Sequence, residues 1–202
     1  MVVIGLTGGV GTGKTSVSKM FKALGAVVID ADELAHELIR PHRAAWRAIL
    51  KTFGTTVLKP DLTLDRRHLA KIVFRDPRRR RQLEGMLHPP ILSLMRARVR
   101  RLRRTRQVAA VVLEIPLLFE AGARSLVDVV VVVTATSRVQ RERLKRIRGW
   151  SDREIRARTW AQWKLAAKAA LADDVIDNSG TVSATRTQVR RIWNRRVVQG
   201  NW

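Results

Sequence analysis

The residues best suited to chemistry stand near the N-terminus, in Gly8-Gly9-Val10-Gly11-Thr12-Gly13-Lys14-Thr15-Ser16. Through Thr15 this run matches G-x-x-x-x-G-K-[ST] in full, a spacing that lets a backbone ring an anion. Glycines allow the dihedral angles that turn successive N–H groups inward. A helix opening near Gly13 adds its positive end. Lys14 then brings an ammonium to the β- and γ-phosphates of ATP, and the Thr15 hydroxyl can ligate Mg2+. The expected ATP contacts are Gly9, Val10, Gly11, Thr12, Gly13, Lys14, Thr15 and Ser16, with Lys14 also catalytic and Thr15 the metal ligand. Such a loop implies nucleotide binding. The reaction depends on the acceptor.

A second group follows in Val27-Val28-Ile29-Asp30-Ala31-Asp32, an apolar run ending in two carboxylates. Ligands of parallel α/β sheets collect at the carboxyl ends of the strands. Transfer of a phosphoryl group to a hydroxyl needs an acceptor for the hydroxyl proton, and a carboxylate there can serve. Aspartate also caps helices well. The spacing alone leaves both roles open for Asp30 and Asp32.

These groups need elements to hold them. Strand-length apolar runs at Val2–Thr7, Ala26–Ile29, Val108–Ile115, Val127–Val133 and Val175–Ile176 alternate with helical patterns. Near-continuous hydrophobicity of this kind suits strands covered on both faces. The fold class expected is α/β: a P-loop NTPase-type parallel five-stranded sheet flanked by helices, with a helical insertion and an Arg-rich segment that the family resemblance named below makes a substrate-binding insertion and an Arg-rich lid. Residues 1–202 form one domain on this reading. Its core covers about 1–40, 107–137 and 172–202, its insertion about 41–106, and its lid about 138–171. Helical breaks are expected near Gly54–Thr63, at Pro77 and at Pro89-Pro90, and one helix is expected over Asp152–Leu171.

Composition narrows the classes. The chain has no cysteine, which excludes disulfides, thiolate metal sites and cysteine catalysis. The opening Met1–Thr7 is too short for a signal peptide. Asp128 interrupts the apolar run Val127–Val133, far short of a membrane span of ~20 residues. A soluble, cytoplasmic protein without membrane association is expected. Forty Lys and Arg against 17 Asp and Glu leave a net charge of +23. That field attracts polyanions and phosphate-rich molecules alike, and by itself names no partner.

The motifs together resemble the dephospho-coenzyme A kinase family. Thr7–Thr15, Leu24-Gly25 and Val28–Asp32 are similar to its opening. Leu87-His88-Pro89 is similar to its His-Pro motif, and Ile115-Pro116-Leu117-Leu118-Phe119-Glu120 to its segment after the third strand. Gln140 to Arg143, Arg146, Arg158, Gln162 and Lys168 fall where its lid carries such residues, and Ala172–Gly180 looks like its closing signature. The resemblance implies MgATP-dependent phosphorylation of the ribose 3′-hydroxyl of dephospho-CoA, the last step of coenzyme A synthesis. It implies Asp32 as the catalytic base; Arg143, Arg146 and Asn178 at ATP; and Asp32, His88, Glu114 and Leu117 at the substrate. Glu114 departs from the aspartate that the family commonly carries there. Two rival readings are a kinase of another nucleoside or nucleotide and a basic, nucleic-acid-associated NTPase; the first reading requires no nucleic acid.

Overall fold

Each of the five β-branched runs becomes a strand of one sheet. In the computed structural model, which describes residues 1–200, the strands are β1 (Val2–Gly8), β2 (Val27–Asp30), β3 (Ala110–Glu114), β4 (Val129–Thr134) and β5 (Asp174–Asp177). Their order is β2-β3-β1-β4-β5, and every pairing is parallel. Parallel neighbours require crossovers, so helices cover the faces. The register sets Asp30 opposite Glu114, at the carboxyl ends of β2 and β3.

Two compact units emerge: Met1–Asp30 with the chain from Ala97 onward, and Ala31–Arg96. In the first, alternation along the strands sends Val2, Ile4 and Leu6 to one face. There they pack with Val17 and Phe21 of α1 (Lys14–Ala23) and with Val189 and Ile192 of α9 (Val182–Trp193). Further helices of this unit are α6 (Ser137–Arg148), α7 (Asp152–Trp160) and α8 (Leu165–Ala170). The second unit has its own core of Ile49, Val57, Leu64, Leu69 and Val73. Those residues come from α3 (Ala44–Phe53), α4 (Arg66–Arg75) and the turn between them. Ahead of these lies α2 (Ala31–Leu38), and behind them α5 (Pro77–Thr105).

Two helix boundaries differ from expectation. The helix α5 runs unbroken for 29 residues through Pro89 and Pro90. An interior proline removes a hydrogen bond and crowds the preceding turn, at about 3 kcal/mol. Here the apolar spacing outweighs that cost: Ile91, Met95 and Val99 recur every fourth residue and are all buried. Pro77 does mark a start, because Asp76 Oδ1 accepts the Arg78 N–H at 2.7 Å and Pro77 takes the first helical position. The single helix over Asp152–Leu171 is in fact two, broken at residues 161–164. The Trp163 N–H leaves the helix to donate to Glu120 Oε1 at 2.9 Å, while its ring stacks on Phe119. Trp160, by contrast, stands 88% exposed and does not pack.

Among the described residues, Phe21 is the largest fully buried side chain, and it joins α1 to the sheet. Phe21→Ala should therefore cost about 3–5 kcal/mol of unfolding free energy in urea titration; a loss under about 1 kcal/mol would show that α1 is not held by this contact.

Candidate active site

The phosphate loop joins the end of β1 to the start of α1, and two of its glycines have conformations no other residue could take. Gly8 ends β1 at φ 152°, where a Cβ would lie 2.3 Å from the Val133 carbonyl oxygen. Gly13 precedes α1 in a left-handed conformation, φ 88° and ψ 31°. A Cβ there would sit 2.3 Å from Asn178 Nδ2. The loop thus turns where glycine alone permits and delivers the first N–H groups of α1, which lack helical partners.

Loop carbonyls turned away from a ring of amides need partners, and side chains supply them at Gly8, Gly9 and Thr12. Thr12 O accepts Asn178 Nδ2 at 2.8 Å and Arg143 Nη1 at 3.3 Å. Gly9 O accepts Thr12 Oγ1 at 2.9 Å. Lys14 Nζ donates to Gly9 O at 2.9 Å and to Gly8 O at 3.2 Å. Asn178, at the end of β5, is buried and held in turn: its Oδ1 accepts Thr185 Oγ1 from α9 at 2.9 Å. Arg143 also donates to Asn178 O at 2.8 Å. Arg143 and Asn178 therefore meet at the outer wall of the loop.

At the carboxyl edge of the sheet, Thr15 Oγ1 donates to Glu114 Oε1 at 2.9 Å. Burial pushes the Glu114 carboxyl above the ordinary carboxylate range; hydrogen bonds from Ser18 and Thr15 oppose the shift, and the Asp30 carboxylate adds to it. A buried carboxylate next to a hydroxyl is a hard, oxygen-only donor pair, the kind that suits Mg2+. The extra methylene of glutamate is taken up by this reach to Thr15. Leu117 follows in the half-buried turn after β3.

Arg146 lines a recess of about 160 Å3 with Val139, Glu142 and Arg143, all on α6. Arg141 and Lys145 of α6 both bind Asp152, tying the start of α7 to α6. Arg158 lies 4.0 Å over the Trp150 ring, a cation–π contact. Asp32 and His88 belong to the second unit. Because α2 begins directly after β2, Asp32 lies in its first turn and is exposed, and Asp30 is the last residue of the strand. His88 is half-buried on α5. Sequence reading missed Thr185, which orients Asn178, and Ser18, which supports Glu114; a helical Ser or Thr carries no motif of its own. Among the described residues, no group of three or more His, Asp or Glu side chains could hold a metal by itself, and no helix is long and apolar enough to cross a membrane.

Comparison with known proteins places the geometry in a family. A family model for dephospho-CoA kinase matches residues 2–184. The dephospho-CoA kinase of Geobacter metallireducens is 44% identical over 197 residues, covering 98% of each chain. That of Moorella thermoacetica is 44% identical over 193 residues, covering 96% of this chain and 91% of its own. A solved structure from Thermus thermophilus superposes with a TM-score of 0.80 at 30% identity, covering 100% of this chain and 98% of that one. A shikimate kinase from Acinetobacter baumannii, in complex with shikimate, shares the fold at a TM-score of 0.56, covering 100% of this chain and 96% of its own, at only 15% identity. With the phosphate loop and strand-tip carboxylates described above, these likenesses assign the sequence: the chain belongs to the dephospho-CoA kinase family.

Proposed function

We infer that this protein transfers the γ-phosphoryl group of ATP to the ribose 3′-hydroxyl of dephospho-CoA, giving coenzyme A and ADP. The observation that carries this reading is the glycine loop with its backbone carbonyls held outward, beside the Glu114 carboxylate at the sheet's edge. The family supplies the acceptor.

Each residue has a physical task in that reaction. Between Gly9 and Ser16, the N–H groups not bonded within the loop surround the β-phosphate, and the start of α1 adds its positive end. Lys14 carries a charge that follows the γ-phosphoryl group as its charge spreads in transfer. Arg143 and Arg146, on α6, meet phosphate oxygens of ATP with planar forks that keep their charge, Arg143 sharing its donors with Thr12 O and Asn178 O. Asn178, whose amide already holds Thr12 O, borders the nucleotide. Mg2+ arriving with ATP supplies neutralisation of phosphate charge, and Thr15 with Glu114 are the residues that would hold it.

Asp32 is the general base, taking the proton of the attacking 3′-hydroxyl. His88, Glu114 and Leu117 face dephospho-CoA. The regions about 41–106 and 138–171 serve as substrate-binding insertion and lid, the lid's closure keeping water from competing as acceptor. The site requires no nucleic acid, no membrane and only ATP, Mg2+ and dephospho-CoA. Cytoplasm is the compartment that this chemistry and the cysteine-free composition suit.

Three outcomes test this reading. With MgATP and a panel of dephospho-CoA, nucleosides, nucleoside monophosphates and shikimate, only dephospho-CoA should be phosphorylated efficiently; turnover of another acceptor with none of dephospho-CoA overturns the assignment. Lys14→Ala should lower turnover about a thousandfold, ~4 kcal/mol of barrier, with the circular dichroism melt preserved. Asp32→Asn should reduce kcat by on the order of a hundredfold or more while calorimetry finds ATP affinity nearly unchanged. A variant with wild-type kcat would free Asp32 of any role in proton transfer.

A further inference from the structure

Outside the phosphate loop, one charged side chain among the described residues is wholly shielded from solvent: Lys168 of α8. Its ammonium lies 2.7 Å from Glu120 Oε1 and donates to the Pro116 carbonyl at 3.0 Å. The same Pro116 carbonyl accepts Thr7 Oγ1 from β1 at 3.1 Å. The same Glu120 oxygen accepts the Trp163 N–H at 2.9 Å, and the neighbouring Phe119 stacks on the Trp163 ring with centroids 6.1 Å apart. Glu120 Oε2 is also buried and has no hydrogen-bond partner among the described residues. One cation therefore joins the end of β1, the segment after β3, and α8.

A desolvated ion pair is a poor source of stability, because the loss of hydration offsets much of the attraction, and well-packed apolar residues often serve as well. Direction is what the pair adds. The ammonium protons have fixed acceptors in Glu120 and Pro116, which holds the chain between them in one register. That chain carries Leu117 and begins two residues beyond Glu114, the carboxylate that accepts the Thr15 hydroxyl. One turn earlier on the same helix, Leu165 Cδ1 stands 3.7 Å from where a Cβ on Gly9 would be.

We propose that Lys168 is a positioning residue for phosphoryl transfer: through Glu120 and Pro116 it sets the segment 114–120, with Glu114 and Leu117, against the phosphate loop. The proposal rests on the kinase reading above and adds to it a residue that touches neither substrate.

The test is steady-state kinetics and thermal melting of the wild type, of Lys168→Met, and of Lys168→Met combined with Glu120→Gln. The single variant leaves a buried carboxylate unmatched and should melt well below the double variant, in which glutamine keeps an acceptor for Trp163. In the double variant kcat should fall about 10- to 100-fold, the scale of a small misplacement of reacting groups. KM for ATP and for dephospho-CoA should each stay within about threefold. A folded double variant with wild-type kcat overturns the proposal, and so does a raised KM with kcat retained, which would mean substrate contact. If neither variant folds, Lys168→Arg decides, since it keeps a cation for Glu120 while moving the donor that reaches Pro116 O: kcat should drop with both KM values unchanged, and wild-type kcat overturns the proposal. A wild type that fails to phosphorylate dephospho-CoA overturns the kinase reading and this one with it, whereas normal wild-type turnover beside unaffected variants overturns the positioning role alone.

Discussion

An anion-binding loop is a local inversion of backbone polarity, and inversion has to be held. When N–H groups between two elements turn toward a common centre, their carbonyls turn away from it and lose the partners a helix or sheet would supply. In this chain Thr12 O is the point where that demand is met. Asn178 from the end of β5 and Arg143 from α6 both donate to it, and Thr185 from α9 fixes the Asn178 amide. The loop next to β1 is thus shaped by an amide 166 positions away in sequence, and the parallel sheet is what brings the two together. Neither the glycines nor the lysine would present a defined site without that outer support.

The charge of +23 takes on a different meaning beside these contacts. Most ion pairs here are partly or largely exposed, such as Arg138–Glu142 and Arg103–Asp128, and pairs of that kind contribute little to stability. The buried exceptions sit at junctions. Asp174, at the start of β5, is held by Arg195 and Arg196 from the C-terminal turn, which fastens the last helical segment to the edge of the sheet. Lys168 with Glu120 fastens α8 to the turn after β3. Few acids are available among many arginines, and the shielded ones are used where elements meet.

Much of this is legible from residue order. All five strands lie where β-branched runs predict them; β1, β3 and β4, covered on both faces, are apolar nearly throughout, while β5 at the sheet's edge alternates buried and exposed. Gly13-Lys14-Thr15 stands out by spacing, since the loop's geometry is a sequence-local property. The two helices that depart from expectation do so for a common cause. Local propensity favours a break at Pro89-Pro90 and continuity over Asp152–Leu171, yet tertiary contacts decide both. The buried row Ile91, Met95 and Val99 carries α5 through the prolines, and Glu120 takes the Trp163 N–H out of a helix. Glu114 can be named as a departure from a family pattern, but its bond to Thr15 spans 99 residues of sequence and has no local signature. Likewise Trp160 and Trp163 share helical spacing, and only one of them packs.

The Lys14 side chain carries a further consequence. Its ammonium folds back onto the carbonyls of Gly8 and Gly9 and feels the Glu114 carboxylate, so an incoming anion must draw it from partners that the loop and the sheet already supply. A singly charged ion gains little from that exchange, whereas a polyphosphate, which meets the amide ring and the ammonium at once, gains on both counts. Charge density, as well as shape, thus favours a polyphosphate at this loop.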